Sequence, residues 1–417
     1  MRQPDGAAVN RSLLIQHARV LDVEAGTYLE DHDVLCSEGR ITDVARSLRR
    51  SRDVDVLDAH GAVLTPGLID AHVHVTAATA DLASLTTWAP SYVTAHTAQI
   101  MKGMLSRGFT TVRDASGADH GLAQAQAEGL LAGPRVLFCG KALSQTGGHG
   151  DSRSAGQHER SDHPCCSGLG RVVDGVDALR TAAREELRRG AHHLKVMASG
   201  GVASPTDRID STQYSPEELR AVVEEAEAAN RYVAAHAYTA RAINRALHAG
   251  VRSIEHGNLL DDESIRLLIA HGAFLVPTLV TYWALKEEGM DHGLPRDSWE
   301  KVDAVLGAGI EALERAAAAN VQIVYGSDLL GGMHRHQSRE LRIRADVQPV
   351  IDVLRSATTV AAALLGLIGE VGVVAPGAHA DLLLVDGDPL TDVGALADPE
   401  RHLRCVIQGG RVVVDHR

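Results

Sequence analysis

The stretch LIDAHVHV, residues 68–75, reads as a buried strand with two imidazoles at its end. Leu68, Ile69, Ala71, Val73 and Val75 supply the apolar character. Side chains two apart on a strand share a face, so His72 and His74 point the same way. Two imidazoles side by side can hold one cation without rearrangement. Taken alone, such a pair is also compatible with ordinary hydrogen-bonded histidines.

Similar strand-like runs recur after it: FTTVRDA (109–115), RVLFCG (135–140), HHLKVMA (192–198), YVAAHA (232–237), RSIEH (252–256), AFLVPTL (273–279) and VQIVYGS (321–327). Helix-like stretches separate several of them, clearest at 174–190, at 215–230 and in the Ala/Glu-rich run ending at Asn320. Ser215-Pro216-Glu217-Glu218 has the order of a helix start: a capping serine, proline at the first helical position, then acids. Eight strands alternating with helices predict a parallel α/β fold, and the count favours a TIM-like (β/α)8 barrel. An open doubly wound sheet is the alternative. No GxGxxG follows the first strand, so a dinucleotide fold lacks its main support.

Both chain ends are different in character. Residues 1–65 and 371–417 are short β-rich runs with Gly punctuation, such as SLLIQHARVLD and LRCVIQGGRVVVDH. They are expected to form one small β-sandwich domain built from both termini, around a barrel spanning 66–370. Between Leu143 and Val172 lies a long stretch rich in Gly, Ser and His, expected to be a lid or binding loop.

Composition bounds the rest. The chain has 417 residues, 45% hydrophobic and 23% charged, which suits a soluble globular protein rather than a disordered or fibrous one. The balance of 41 basic against 54 acidic residues argues against a nucleic-acid surface or an anionic membrane partner. Five scattered cysteines without a CxxC pair, no signal-like start and no long apolar run give the expectation of a cytoplasmic protein without disulfides or a membrane span. The 22 histidines outnumber the 13 Phe, Trp and Tyr residues, which invites a metal hypothesis.

Position sharpens that hypothesis. His72 and His74, then Lys195, His236, His256 and Asp328, fall at or near the C-terminal ends of strands one, four, five, six and eight. Barrel active sites are built on that face. Lys195 lies inside an apolar strand, where an unpaired ammonium is costly. A lysine whose pKa is depressed by burial can react with CO2 to give a carbamate, an anion able to bridge two metals. Four imidazoles, one carboxylate and one carbamate suit two Zn²⁺-like ions.

These residues, with PGLIDAHVHV (66–75), TGGHGD (146–151), SGGVASPTD (199–207), TQYS (212–215), AHAYTARAI (235–243), IEHGN (254–258) and YGSDLLGGMHRHQS (325–338), resemble the amidohydrolase superfamily. The resemblance is to its imidazolonepropionase-related branch, and especially to prolidase-like binuclear metallo-dipeptidases and the similar ochratoxin-hydrolysing amidases. It implies that His72 and His74 bind one metal with Asp328, that His236 and His256 bind a second, and that carboxylated Lys195 bridges two divalent ions, expected to be Zn²⁺. It implies hydrolysis of a dipeptide (Xaa-Pro-like) or N-acyl amino acid by a metal-bridging hydroxide. Asp328 then shuttles a proton to the leaving nitrogen. A homo-oligomer is the corresponding expectation.

His149 and Tyr238 are candidates for hydrogen bonds to the substrate carbonyl or C-terminal carboxylate. Arg335 and Arg208 are candidates to meet that carboxylate. His334 and His336 flank Arg335, either near the site or exposed. His158, His163, Cys165 and Cys166 match no standard zinc spacing. Alternatives within enzymes are a cyclic amide or imine hydrolase and a lactone or phosphotriester hydrolase; a non-catalytic binding protein predicts a lost ligand, and none is missing.

Overall fold

The computed structural model describes residues 12–158 and 167–417. Eight parallel strands follow one another around a barrel: Leu68–Val73, Phe109–Asp114, Arg135–Phe138, Leu194–Met197, Val233–Thr239, Ser253–Leu259, Phe274–Val276 and Gln322–Ile323. The short strand Ala142–Ser144 continues the third and meets the fourth at Leu143 and Val196. The ring closes where the Ala71 amide donates to the Tyr325 carbonyl at 2.9 Å and the Asp328 amide to the His72 carbonyl at 2.8 Å. The strands read as apolar runs because a parallel sheet in a barrel is covered on both faces.

The three helices expected from sequence are present as Val176–Arg188, Pro216–Ala228 and Asp303–Ala318. At the second of these Ser215 and Glu218 form a reciprocal capping box, which satisfies amides that the first turn leaves open. Leu179, Leu219, Val222, Ile243 and Leu313 press the helical layer onto the barrel wall. Burying each such Leu or Val stabilises the fold by about 1.5–3 kcal/mol.

The chain ends meet in one eight-stranded sheet. Val63–Pro66 pairs antiparallel with Leu382–Val385, so the last strand before the barrel joins the first strand after it. The long strand Ser12–Asp22 pairs with Val54–Asp58 through its first half and with Val63–Pro66 further on. That change of partner folds the sheet into a sandwich over Ile15, Val34, Leu57, Leu64, Leu384 and Ile407.

The polar stretch after Leu143 is tied at its base. Gly170–Val172 forms a strand parallel to Ala142–Ser144, with Ser144 opposite Val172. His163, Cys165 and Cys166 lie outside the described residues. Among the described residues Cys36, Cys139 and Cys405 are buried free thiols, and no helix is long and apolar enough to cross a membrane.

Candidate metal centre and active site

The C-terminal rim of the barrel gathers imidazoles from three strands. His72 and His74 come from the end of the first, His236 from the fifth and His256 from the sixth. The ring centroids of His72 and His256 are 5.0 Å apart, and those of His236 and His256 4.6 Å. Asp328 approaches from beyond the eighth strand, one carboxylate oxygen lying 3.4 Å from His72 Nε2 and 3.1 Å from His74 Nε2. His72, His74 and Asp328 each offer a ligand atom within 4.8 Å of the others.

Each imidazole has one nitrogen engaged, which decides where the other is free. His72 Nδ1 donates to Glu255 at 2.6 Å, and His74 Nδ1 to the Ser116 carbonyl at 3.0 Å. His236 donates from Nε2 to the Gly200 carbonyl at 3.0 Å. A carboxylate or carbonyl only accepts, so the opposite nitrogen of each ring keeps its lone pair. His256 Nδ1 meets Thr278 Oγ1 at 2.8 Å. Burial holds His236 and His256 well below the usual histidine range, the neighbouring imidazoles adding to the effect. Burial opposes the charged form of His74 too, but Asp328 beside it raises its pKa. A divalent cation would take the place of that proton, because it binds a neutral ring through a free lone pair.

Lys195 lines the same cavity, almost fully buried, and its Nζ has no hydrogen-bond partner among the described residues. Burial pushes its pKa down to about 8. An unpartnered amine facing four imidazoles and a carboxylate is a poor structural element and a good precursor of a ligand. The donor set fits divalent-cation binding, with His72, His74 and Asp328 close enough together to share one ion.

Backbone conformation helps to bring these groups together. His256, Thr278 and Asp328 have φ of 75°, 50° and 52°. The left-handed region is sparsely populated by non-glycine residues and costly for a β-branched one, and such strain gathers at functional sites. At His256 it breaks strand alternation, so Glu255 and His256 both reach the interior. Gly326 has a steric role: a Cβ there would lie 2.4 Å from Val276 Cγ1 and 2.9 Å from His72 Cβ.

Beneath the histidines lies a group that sequence reading missed. Arg113 donates to both Glu255 oxygens at 2.8 Å and to the Ala71 carbonyl at 2.5 Å, and both side chains are fully buried. Burial opposes ionisation of Glu255, but Arg113 outweighs it and holds the carboxyl well below its ordinary value. Asp328 behaves alike: burial raises its pKa, and the imidazoles of His72, His74 and His256 bring it well below the carboxylate range.

Above the centre is a cavity of about 150 Å³. Its apolar wall includes Leu82, Leu169, Val202, Leu285, Pro295 and Leu330. His149 stacks on His236 with centroids 4.1 Å apart, and Tyr238 stands 5.2 Å from His256, so both candidate substrate contacts line the cavity. Arg335 and Arg208 do not line it: Arg335 pairs with Glu288 and donates to the Gly332 carbonyl at 2.7 Å, while Arg208 is exposed and pairs with Asp210. A different arginine, Arg153, sits in the cavity wall, held by Asp151 through contacts of 2.8 and 2.6 Å. Of the flanking histidines, His334 is buried against the Ala77 carbonyl at 3.2 Å and His336 pairs with Glu288 at 2.9 Å. His158 is exposed.

The pattern that defines the Amidohydrolase family matches residues 63–413. The chain belongs to the amidohydrolase family. Among its relatives, the Ochratoxinase of Aspergillus niger is 33% identical over 364 residues, 84% of this chain and 75% of that protein. A prolidase solved in complex with N-methylphosphonate-L-proline is 50% identical with a TM-score of 0.95, over 97% of this chain and 100% of that one. A Xaa-Pro dipeptidase solved with methionine in its active site is 27% identical with a TM-score of 0.85, over 97% and 100%. As an amidohydrolase the protein is a hydrolase acting on carbon–nitrogen bonds. Amidohydrolases are generally metal-dependent, and the cluster of His72, His74 and Asp328 is a candidate for that dependence here.

Proposed function

We propose that this amidohydrolase cleaves the amide bond of Xaa-Pro-like dipeptides or N-acyl amino acids, using two divalent cations, Zn²⁺ by donor type. The observation that carries the reading is the convergence of four imidazoles, Asp328 and the unpartnered Lys195 on one cavity floor. His72, His74 and Asp328 would hold one cation, His236 and His256 the other, and carboxylated Lys195 both. Bound there, the cations would lower the pKa of a water and polarise the amide carbonyl.

The chain's own groups then complete the reaction. Asp328 faces the attacking side from between His72 and His74, where it accepts the water's proton and passes it to the leaving nitrogen. Amide nitrogen leaves poorly as an anion, so this second transfer is as necessary as the first. His149 and Tyr238 meet the substrate oxygens from the cavity wall. Arg153 is the arginine placed to read a substrate carboxylate, whose charge it matches. The apolar wall excludes water and receives the N-terminal side chain or acyl group.

Two relatives support this choice among carbon–nitrogen substrates. One binds N-methylphosphonate-L-proline. Its phosphorus is tetrahedral, like a carbonyl carbon after water has added. The other is the Ochratoxinase, which favours the N-acyl arm of the reading. The test is a hydrolysis screen of Zn²⁺-loaded enzyme over dipeptides and N-acyl amino acids. Release of proline or another free amino acid, lost on chelation and regained on adding Zn²⁺, is the expected result. No release from either class, or turnover indifferent to chelation, would refute it.

A further inference from the structure

His149 is held by a network that reaches well beyond its own loop. Its Nδ1 lies 2.8 Å from Ser204 Oγ, and the Ser204 hydroxyl in turn contacts Asp207 Oδ1. Asp207 is buried and lies 4.0 Å from His149 Nδ1. Gln213, also buried, makes a second link between the same two residues: its amide donates to Asp207 Oδ2 at 2.9 Å, and its carbonyl accepts from the His149 backbone amide at 2.9 Å.

The loop that carries Ser204 and Asp207 is itself clamped. Lys301 Nζ donates to the carbonyls of Gly201, Ser204 and Asp207 at 3.2, 2.8 and 2.9 Å. Gly201 makes room for the imidazole, since a Cβ there would fall 2.1 Å from His149 Cε1. The ring is thus held by the 201–207 loop, the His149 backbone by Gln213, and the loop itself by Lys301.

We infer that Asp207 is a positioning residue, which sets through Ser204 which nitrogen of His149 faces the substrate. An ionised carboxylate only accepts, so the Ser204 proton points to Asp207. The serine oxygen is then left to accept from His149, which puts a proton on Nδ1. His149 Nε2, with no hydrogen bond to a described residue, is the nitrogen given to the cavity. A substrate oxygen only accepts, so the neutral ring offers it no donor; the bond forms once Nε2 also carries a proton, with Nδ1–H kept on Ser204. The consequence for turnover rests on the proposed contact between His149 and substrate; the assignment of the tautomer does not.

Two measurements test this on full-length protein. The first is ¹⁵N-histidine NMR, with the His149 signals identified by their loss in His149→Gln. A protonated Nδ1 and an unprotonated Nε2 are expected, with the preference lost in Asp207→Asn. An unprotonated Nδ1 in the unaltered protein, or an unchanged ring in Asp207→Asn, would overturn the inference whatever the substrate. The second is a double-mutant cycle on metal-loaded enzyme with its best dipeptide or N-acyl substrate. Asp207→Asn should lower kcat/KM by about 10–100-fold, the usual loss for an outer partner of a site residue, and His149→Gln by at least as much, both with metal content unchanged. The double variant should be no worse than His149→Gln alone, because one residue acts through the other. Multiplying losses would mean that Asp207 only supports the loop, and would overturn its positioning role. Ser204→Ala, which removes the relay and keeps the Asp207–Gln213 bond, gives the same comparison should Asp207→Asn fold poorly. An unaltered kcat/KM in His149→Gln would instead remove His149 from the proposed site, leaving the NMR result to decide on Asp207.

Discussion

His72 Nδ1 stands 2.6 Å from Glu255 Oε2, with both side chains sealed from solvent, and Arg113 closes the other side of the same carboxylate. A carboxylate behind a ligating imidazole fixes its tautomer and raises its basicity. Glu255→Gln is therefore expected to weaken Zn²⁺ binding by about 10–100-fold in a chelator competition titration. It also leaves Arg113 buried without its counter-charge, at a cost of about 3–5 kcal/mol in urea unfolding of the metal-free protein. Unaltered affinity beside that loss of stability would restrict Glu255 to a structural role.

Asp328 lies beside His72 and His74, and in the proposed reaction it is also the proton acceptor. Asp328→Asn keeps the shape and one donor oxygen but removes the proton acceptor. Turnover should fall by about 10²–10⁴-fold, the usual contribution of a general base. Metal content by mass spectrometry should stay close to that of the unaltered enzyme. Near-normal turnover would take the proton transfer away from Asp328.

Lys195 can capture CO2 only as the free amine. Burial brings its pKa to about 8, so the reactive form grows as pH rises through that value. Metal-free protein should take up Zn²⁺ poorly in CO2-free buffer, and well with bicarbonate. Uptake should be faster near pH 9 than near pH 7, opposite to the trend for a lysine needed as its ammonium. Lys195→Arg, which has no neutral form at these pH values, should not respond to bicarbonate. Equal uptake with and without bicarbonate would rule out the carbamate.

Thr278 carries strain for the sake of one contact. Its φ of 50° is unfavourable for a β-branched residue, and its hydroxyl holds His256 Nδ1 at 2.8 Å. Thr278→Gly relieves about 1–3 kcal/mol of strain, partly offset by the greater chain entropy of glycine. The metal-free variant is expected to melt at the same temperature or higher, while its Zn²⁺ affinity falls. A lower melting temperature would mean that the hydroxyl supports the fold as well as the site.

The barrel was legible because its signal is local. Runs such as YVAAHA and AFLVPTL are short, apolar and spaced by helical stretches, and Ser215 announces its helix by capping chemistry that needs no tertiary partner. The cavity wall was less so. Arg335 was a reasonable candidate beside the rim, but Glu288 draws its guanidinium away. Arg153 stands in the wall instead, held by Asp151, a contact its own local pattern did not announce. Asp81, Leu82, Ala83 and Thr86 also reach the cavity, and nothing in their local pattern marks them for it.

Glu255 shows where reading along the chain stops. It sits next to His256, and strict alternation would send the two to opposite faces of the strand. The left-handed φ at His256 lets both turn inward. By itself the sequence determined the strands, their order and the chemistry offered at their ends, because hydrophobic periodicity and side-chain type are properties of neighbouring residues. Only the tertiary structure decided that Glu255 stands behind His72, that Arg113 holds Glu255, and that Asp207 reaches His149 through Ser204. Those partners are separated by tens to hundreds of positions in the chain, and a hydrogen bond forms only where the closed barrel and its loops bring a donor within about 3 Å of an acceptor.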